Sequence, residues 1–350
     1  MKHMTKTARK PRIWYWDILR IAAVVCLVLR HISTASFEFV PMLGGKWWVF
    51  NCYGSLVAWM VPVYLMLSGA SFLDPAKPLT LKTLYTRNIL HMTIAFFAWS
   101  AIYVVYNLLS GQDAFRPVSE MFFEGHFHLW FLPMIIGVYM LLPAFRLITK
   151  TLRGTAYMFF LSLAVSVTLP MLQDLGWMLD ADVLTGMNNV GFISAHVSFF
   201  FAGHLFHQLE LTKGQRRLLY ALALIATVLV FAGTYLLTVR DGMHNEDMQS
   251  DSNLLTGIQG IALFVFVKQR CKGRTFSPQV QDALKFYSSL TFGVYLIHVM
   301  FIALLDRFGF SPMTYNALWM IPLVFCLVTP LSFLVTWLLR KIPVVGRYIT

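Results

Sequence analysis

The stretch WYWDILRIAAVVCLVLRHIS, Trp14 to Ser33, has the length and apolar character of a membrane span, yet it carries Asp17, Arg20, Arg30 and His31. About twenty mostly apolar residues are enough to cross hydrocarbon as a helix. Ionisable groups are costly there and are retained where they face a partner or a water-filled cavity. Their spacing sorts the four. Eleven residues separate Arg20 from His31. At ~100° per residue that returns the helix to within ~20° of the same face, about 16 Å further along its axis. Asp17 shares this face, and Arg30 points elsewhere. One side of the helix therefore presents an acid, a permanent cation and a titratable base to the interior, as the wall of an active site would.

The surrounding chain tells what kind of protein holds this helix. Its 350 residues are 58% hydrophobic and 13% charged, with mean hydropathy +0.65. A water-soluble domain has no place for so much apolar surface, so the expected fold is an all-α polytopic membrane protein. Ten segments have spanning length: 13–36, 51–73, 89–110, 128–148, 155–173, 190–209, 216–238, 252–270, 287–308 and 316–340. The loops at 111–127, 174–189 and 239–251 are too short to fold alone, so a single transmembrane domain over 1–350 is expected. The basic start MKHMTKTARKPR leads into a full span without a small-residue cleavage site, which predicts a retained helix and not a signal peptide. Pro62, Pro143, Pro170 and Pro330 are candidate kinks or helix ends.

The net charge of +12 raises the question of nucleic acid, and charge placement answers it. With both termini in the cytoplasm, the tails and the loops at 74–88, 146–154, 210–217 and 268–285 hold 22 of the 28 Lys and Arg. The opposite loops hold Lys46, Arg116, Arg240 and Arg307, together with most of the acids, among them Glu38, Glu124, Glu246 and Asp251. This is the positive-inside pattern at every loop. Topology accounts for the basic excess, and no nucleic-acid partner is expected. Cys26, Cys52, Cys271 and Cys326 have neither paired nor CxxC spacing, so neither a disulfide framework nor a zinc site is expected. No HExxH or comparable motif points to a metal.

Five blocks in order carry a family resemblance. They are DILRIAAVVCLVLRH with Arg20 and His31, VPVYLMLSGASFL (Val61 to Leu73), HLWFLPMIIGVYMLLP (His128 to Pro143), SFFFAGHLF (Ser198 to Phe206) and SLTFGVYLIHVMF (Ser289 to Phe301). Together they resemble the membrane-bound acyltransferase family 3, of the type that O-acylates bacterial cell-surface glycans, without the hydrolase-like domain that some members append. The resemblance implies an enzyme of the bacterial cytoplasmic (inner) membrane. It would move an acyl group from acyl-coenzyme A to a hydroxyl of a surface polysaccharide or lipid-linked sugar. Acetyl-CoA is the expected co-substrate, with succinyl or another short acyl group as the alternative, and no bound cofactor. Where the family carries two arginines three apart after its second span, this chain has Leu84 and Arg87, with Lys82 nearby. Lys82 and Arg87 are the stand-in candidates for donor binding.

The chemistry fits the residues independently. Acyl transfer to a hydroxyl needs a base for its proton and a cation or donors for the developing oxyanion. His31 is the candidate general base, Arg20 the anchor for donor or oxyanion, and Asp17 a support that orients Arg20. The plain structural readings are that Arg20 snorkels to the surface, that His31 is an interfacial histidine and that Arg30 pairs with Glu38 or another outer acid. His126, His128, Trp130 and Glu124, at the outer mouth of the fourth span, are candidates for binding the acceptor sugar, or else headgroup-boundary residues. His196, His204 and His298 read as packing residues. Two other function classes stay open: a transporter or flippase for a polar or lipid-linked glycan, and a glycan polymerase, which the short acidic outer loops disfavour. The expected partners are the lipid bilayer, acyl-CoA and the glycan acceptor, with an oligomer of the chain as a further option.

Overall fold

The computed structural model describes residues 12–34, 37–111, 116–174, 194–348 and 350, and every regular element among them is helical. In chain order the main helices are α1 (Trp14–Thr34), α2 (Gly45–Val57), α3 (Met60–Phe72), α4 (Leu81–Ser110), α5 (Val118–Glu124), α6 (Phe127–Met140), α7 (Leu142–Ile148), α8 (Leu152–Leu172), α9 (Ala195–Gln208), α10 (Lys213–Asp241), α11 (Leu254–Cys271), α12 (Pro278–Arg307) and α13 (Ala317–Leu339), followed by a short α14 (Pro343–Tyr348). Among the described residues eight helices are long and apolar enough to cross a membrane, or nine if α5 and α6, bent by 44°, form one span. Nine of the ten expected segments correspond to these. The sixth, 190–209, is represented by α9, whose 14 residues rise about 21 Å against about 30 Å of hydrocarbon. Its first residues, 190–193, lie outside the described residues, as do the basic tail before Arg12 and the loop acids Asp113, Asp180 and Asp182.

Local chemistry sets the helix ends. Side-chain oxygens of Thr212, Asn253, Ser277 and Asn316 accept from the backbone N–H groups of Gln215, Leu255, Val280 and Leu318 at 2.9–3.4 Å, capping α10 to α13. Pro62 and Pro143 follow two short interruptions of the helical ladder, between α2 and α3 and between α6 and α7. A proline ring clashes with the carbonyl four residues back, here those of Ala58 and Tyr139, and removes a helical donor. The expected span 128–148 is therefore two helices that part at Leu141. Pro330 and Pro322 instead lie inside α13, which continues through them.

The first helix is the axis of the packing. It lies against α2, α3, α11, α12 and α13, so both its apolar and its polar faces meet protein. The most extensive contact in the bundle is between α3 and α9, where two glycines let the backbones meet. A Cβ on Gly69 would strike the Phe200 carbonyl, and one on Gly203 the Met66 carbonyl. Small residues of this kind let membrane helices gain close van der Waals contact without a hydrophobic drive.

Loops assigned to one membrane side by their charge do meet at one end of the bundle. Lys77 lies over the Trp16 ring at 4.7 Å, Arg146 donates to the Phe72 carbonyl at 3.1 Å, Lys268 and Lys272 pair with Glu210, and Arg340 donates to Ser289. At the opposite end Arg30 meets Glu246, and Lys46 donates to the Met313 carbonyl.

Candidate active site

A cavity of about 900 Å³ runs alongside α1. Arg20, Ser68 and Ser71 line one end, Tyr64 and Leu67 its middle, and His31 and His128 its far half. It ends among Glu38, Glu246 and Asp251. Volumes in the upper part of the usual ~300–1,000 Å³ range accommodate a substantial organic ligand. Arg20 and His31, about 16 Å apart by helical rise, thus face one continuous space. A second cavity of about 180 Å³ shares His31 and Phe127 with the first as walls. Its other polar walls include His126, Asp306 and Ser311.

Asp17 is buried on α1 and does less for Arg20 than its spacing suggests. Its carboxylate accepts from Arg12 Nε and Nη2 at 2.7 and 2.8 Å and from the Ser288 hydroxyl at 2.6 Å, while Arg20 Nη1 stays at 3.7 Å. Asp17 is a clamp between the start of α1 and α12, and orienting Arg20 is secondary. Its hydrogen bond raises the pKa of Arg12, outside the span, above the ordinary guanidinium value. Arg20 keeps about a third of its side chain exposed, at 36%, and that exposure opens on the cavity.

Arg30 has the acid partner its position calls for, though not Glu38. Its Nη2 lies 3.3 Å from Glu246 and its Nη1 donates to Gln249 Oε1. The Gln249 amide passes on to Asn51 Oδ1 at 2.7 Å and Ser55 Oγ at 3.3 Å, and Asn51 donates to the Phe231 carbonyl at 3.0 Å. This network ties α1, α2 and α10 to the 246–251 loop. Burial raises the Glu246 carboxyl above its ordinary range, against the opposing pull of Arg30.

Around His31 three other rings close in: Phe127 at 5.6 Å, His128 at 6.3 Å and His298 at 5.1 Å between centroids. His128 is buried, and both its nitrogens are engaged. Nε2 faces the Leu296 carbonyl at 3.3 Å, which as a pure acceptor requires the N–H there. Nδ1 then accepts from His126 Nδ1 at 3.0 Å. The Tyr295 hydroxyl holds the His128 carbonyl at 2.8 Å. His126 itself stacks on Tyr103 at 4.3 Å.

The remaining candidates scatter. Trp130 lines the large cavity and leans on His196 at 5.5 Å, and His196 in turn faces Asp251 at 3.6 Å. Glu124 is exposed and paired with Arg116 at 2.5 Å, away from the cavity lining. Lys82 and Arg87 are exposed at the start of α4, where the helix widens into a π-turn over Leu84–Ile89, and neither lines the cavity. Such turns recur at functional sites, but here the two cations face outward. The sequence did not single out Arg146, which staples the carbonyls of Phe72, Pro75 and Lys77 beside the Arg20 end of the cavity. Nor did it advance His298, whose proximity to His31 is purely tertiary.

Over residues 13–341 the chain matches the sequence profile of a family described as an acyltransferase domain, acyltransferase family 3. The chain belongs to that family. No curated protein and no solved structure matches it. Acyltransferase 3 membership makes this a membrane acyltransferase, and the match runs through both walls of the cavity, from α1 to the end of α13.

Proposed function

We propose that this acyltransferase 3 protein moves a short acyl group, first of all acetyl, from cytoplasmic acyl-coenzyme A to a hydroxyl of a cell-surface polysaccharide or lipid-linked sugar. The observation that carries the reading is the single cavity that joins Arg20 to His31 along one face of α1. In it His31 takes the proton of the acceptor hydroxyl as that oxygen attacks the thioester carbonyl. Arg20 lies about 16 Å away, beyond reach of the same carbon, so of its two candidate roles it takes donor anchoring. A guanidinium, permanently charged and forked, suits the phosphates or amide oxygens of a coenzyme A arm.

The direction of transfer follows from the charges. The Arg20 end belongs to the basic side of the bundle, which the positive-inside pattern assigns to the cytoplasm, where an anionic thioester is steered inward. The other end opens among Glu38, Glu246 and Asp251 beside Trp130, a polar mouth with an aromatic face for a sugar. Both termini then lie in the cytoplasm, in the bacterial inner membrane.

The test is sided. Proteoliposomes receive labelled acetyl-coenzyme A on one face and glycan acceptor on the other, and label transfer is followed. Transfer only when the donor meets the basic end supports the reading. Acceptor movement across the membrane without thioester consumption replaces it with a flippase.

A further inference from the structure

Four imidazoles, those of His31, His126, His128 and His298, gather beside the two cavities, and among the described residues one nitrogen of His298 is uncommitted. His298 is fully buried on α12. Its Nδ1 faces the Tyr295 carbonyl at 2.8 Å and the Val294 carbonyl at 3.1 Å, one turn back on its own helix. Carbonyl oxygens only accept, so Nδ1 carries the proton and the neutral ring leaves Nε2 bare. That Nε2 is buried and has no protein partner among the described residues. A buried acceptor without a donor is costly and calls for an explanation. The nearest imidazole is that of His31, at 5.1 Å and 41° between planes. No hydrogen bond joins the two rings in this arrangement, but the centroid distance is close to the about 5.2 Å of two imidazoles linked edge to edge by an N–H···N bond, so a rotation of the His31 ring is enough to make one.

His128 cannot fill this place, since the Leu296 carbonyl takes its N–H and His126 occupies its other nitrogen. Asp17, the acid expected on this face of α1, is held at the far end by Arg12 and Ser288. Among the described residues no carboxylate, Asp306 of the smaller cavity included, is hydrogen-bonded to or ion-paired with His31, whereas a general base is commonly oriented by a third group.

Building on the proposed acyl transfer, we infer that His298 is the positioning residue of the base: when the His31 ring turns to it in the working enzyme, its bare Nε2 accepts the N–H of His31 and fixes the tautomer that leaves His31's other nitrogen open to the acceptor hydroxyl. In the reaction the hydroxyl proton passes to that open nitrogen as the O–C bond forms. The C–S bond then breaks, and the proton goes from His31 to the departing thiolate. His298 keeps its own proton on Nδ1 throughout and holds the imidazolium of His31 in place.

Two amides separate this role from packing. In His298→Gln the side-chain oxygen can reach the Nε2 position, whereas His298→Asn places its amide at the Nδ1 position and keeps only the bond to the helix carbonyls. Acceptor-dependent thiol release is measured in proteoliposomes for wild type, His31→Ala and both variants. The expected result is His298→Gln within about tenfold of wild type and His298→Asn lowered about 100-fold in kcat with an unchanged KM for the thioester. Asn equal to or better than Gln, in a protein where His31→Ala is inactive, overturns the role of His298 and leaves the acyl-transfer reading intact. A wild type that releases no thiol overturns both. Should the variants fail to fold, 15N-histidine spectra of wild type and His31→Ala decide. The bare Nε2 resonance of His298 should move when its donor is removed, and an unmoved resonance overturns the pairing.

Discussion

His31 of the first helix and His298 of the twelfth lie 5.1 Å apart between ring centroids, although 267 positions separate them in the chain. The contact is made because α1 packs along α12, a pairing fixed at its other end by Asp17 accepting from Ser288 at 2.6 Å. The same helix faces the cavity with Arg20. Chemistry and architecture thus share one element, and variants divide cleanly between them.

At Arg20 the expected defect is one of donor affinity. Arg20→Ala should raise KM for acyl-coenzyme A about tenfold or more, and Arg20→Lys should recover part of it, because an ammonium keeps the charge but not the fork. Initial rates over a range of thioester concentrations check this. A kcat loss at unchanged KM would place Arg20 at the reacting carbon instead.

Breaking the Arg30–Glu246 pair should be structural in effect. Arg30→Gln leaves Glu246 facing Glu38 and Asp247 in a partly buried loop. The expected loss is about 2 kcal/mol of stability, typical of a charged hydrogen bond removed from one side. Arg30→Gln combined with Glu246→Gln should cost less than the sum of the singles, as a double-mutant cycle by thermal unfolding would record.

Glu210 and Glu246 should give opposite responses to acid. The Glu210 carboxylate, bonded first to Lys272 and then to Gln269 and Lys268, is held at about 2 instead of its ordinary 4.5. A depressed folded value stabilises above the unfolded value, and that contribution fades as pH falls from about 4.5 towards 2. Because Glu210 is half exposed, the gap between wild type and Glu210→Gln should be small, within about 1 kcal/mol. For Glu246 the folded value is raised by burial, so the sign reverses. Wild type should gain on Glu246→Gln as pH drops through the raised value and lose ground as pH rises through it. Melting temperatures of the three proteins from pH 3 to 7 test both signs.

The α3–α9 contact should tolerate no side chain at its two glycines. Gly69→Ala and Gly203→Ala each drive a methyl into a backbone carbonyl that cannot move aside, at a cost near or above the upper end of about 1–3 kcal/mol. Gly137→Ala is the control, since a Cβ there meets nothing within 4 Å. Its effect should be neutral or slightly stabilising, as for alanine in any helix interior. Yield of monodisperse protein and its melting temperature separate the three.

What the sequence made legible was local. Helical periodicity depends only on neighbours in the chain, so it put Arg20 and His31 on one face, and both do line one cavity. Arg30, expected to point elsewhere, lines it too because its long side chain reaches round to Glu246 and Gln249. Asp17, expected on that face, does not line it because Arg12 and Ser288 hold it. Loop charge likewise grouped segments that meet at one end, as Glu210 with Lys268 and Lys272 illustrates. The partners across helices were not legible. Glu246 and not Glu38 pairs with Arg30, and Arg12 and Ser288 hold Asp17 more closely than Arg20 does. His298 read as a packing histidine because nothing in its own helix shows that α1 lies beside it. The break at Leu141 was half visible, since Pro143 marked a kink or an end without deciding between them.

The most direct measurement of the central claim compares thioester binding with acyl transfer in one variant. Purified wild type and His31→Ala are titrated with a non-hydrolysable acetyl-coenzyme A analogue, and both are then assayed for label transfer to glycan in proteoliposomes. The account expects equal binding, through an intact Arg20, and transfer lowered at least about 100-fold in His31→Ala. Transfer at the wild-type rate in His31→Ala would contradict it, because the wall of α1 would then not hold the base.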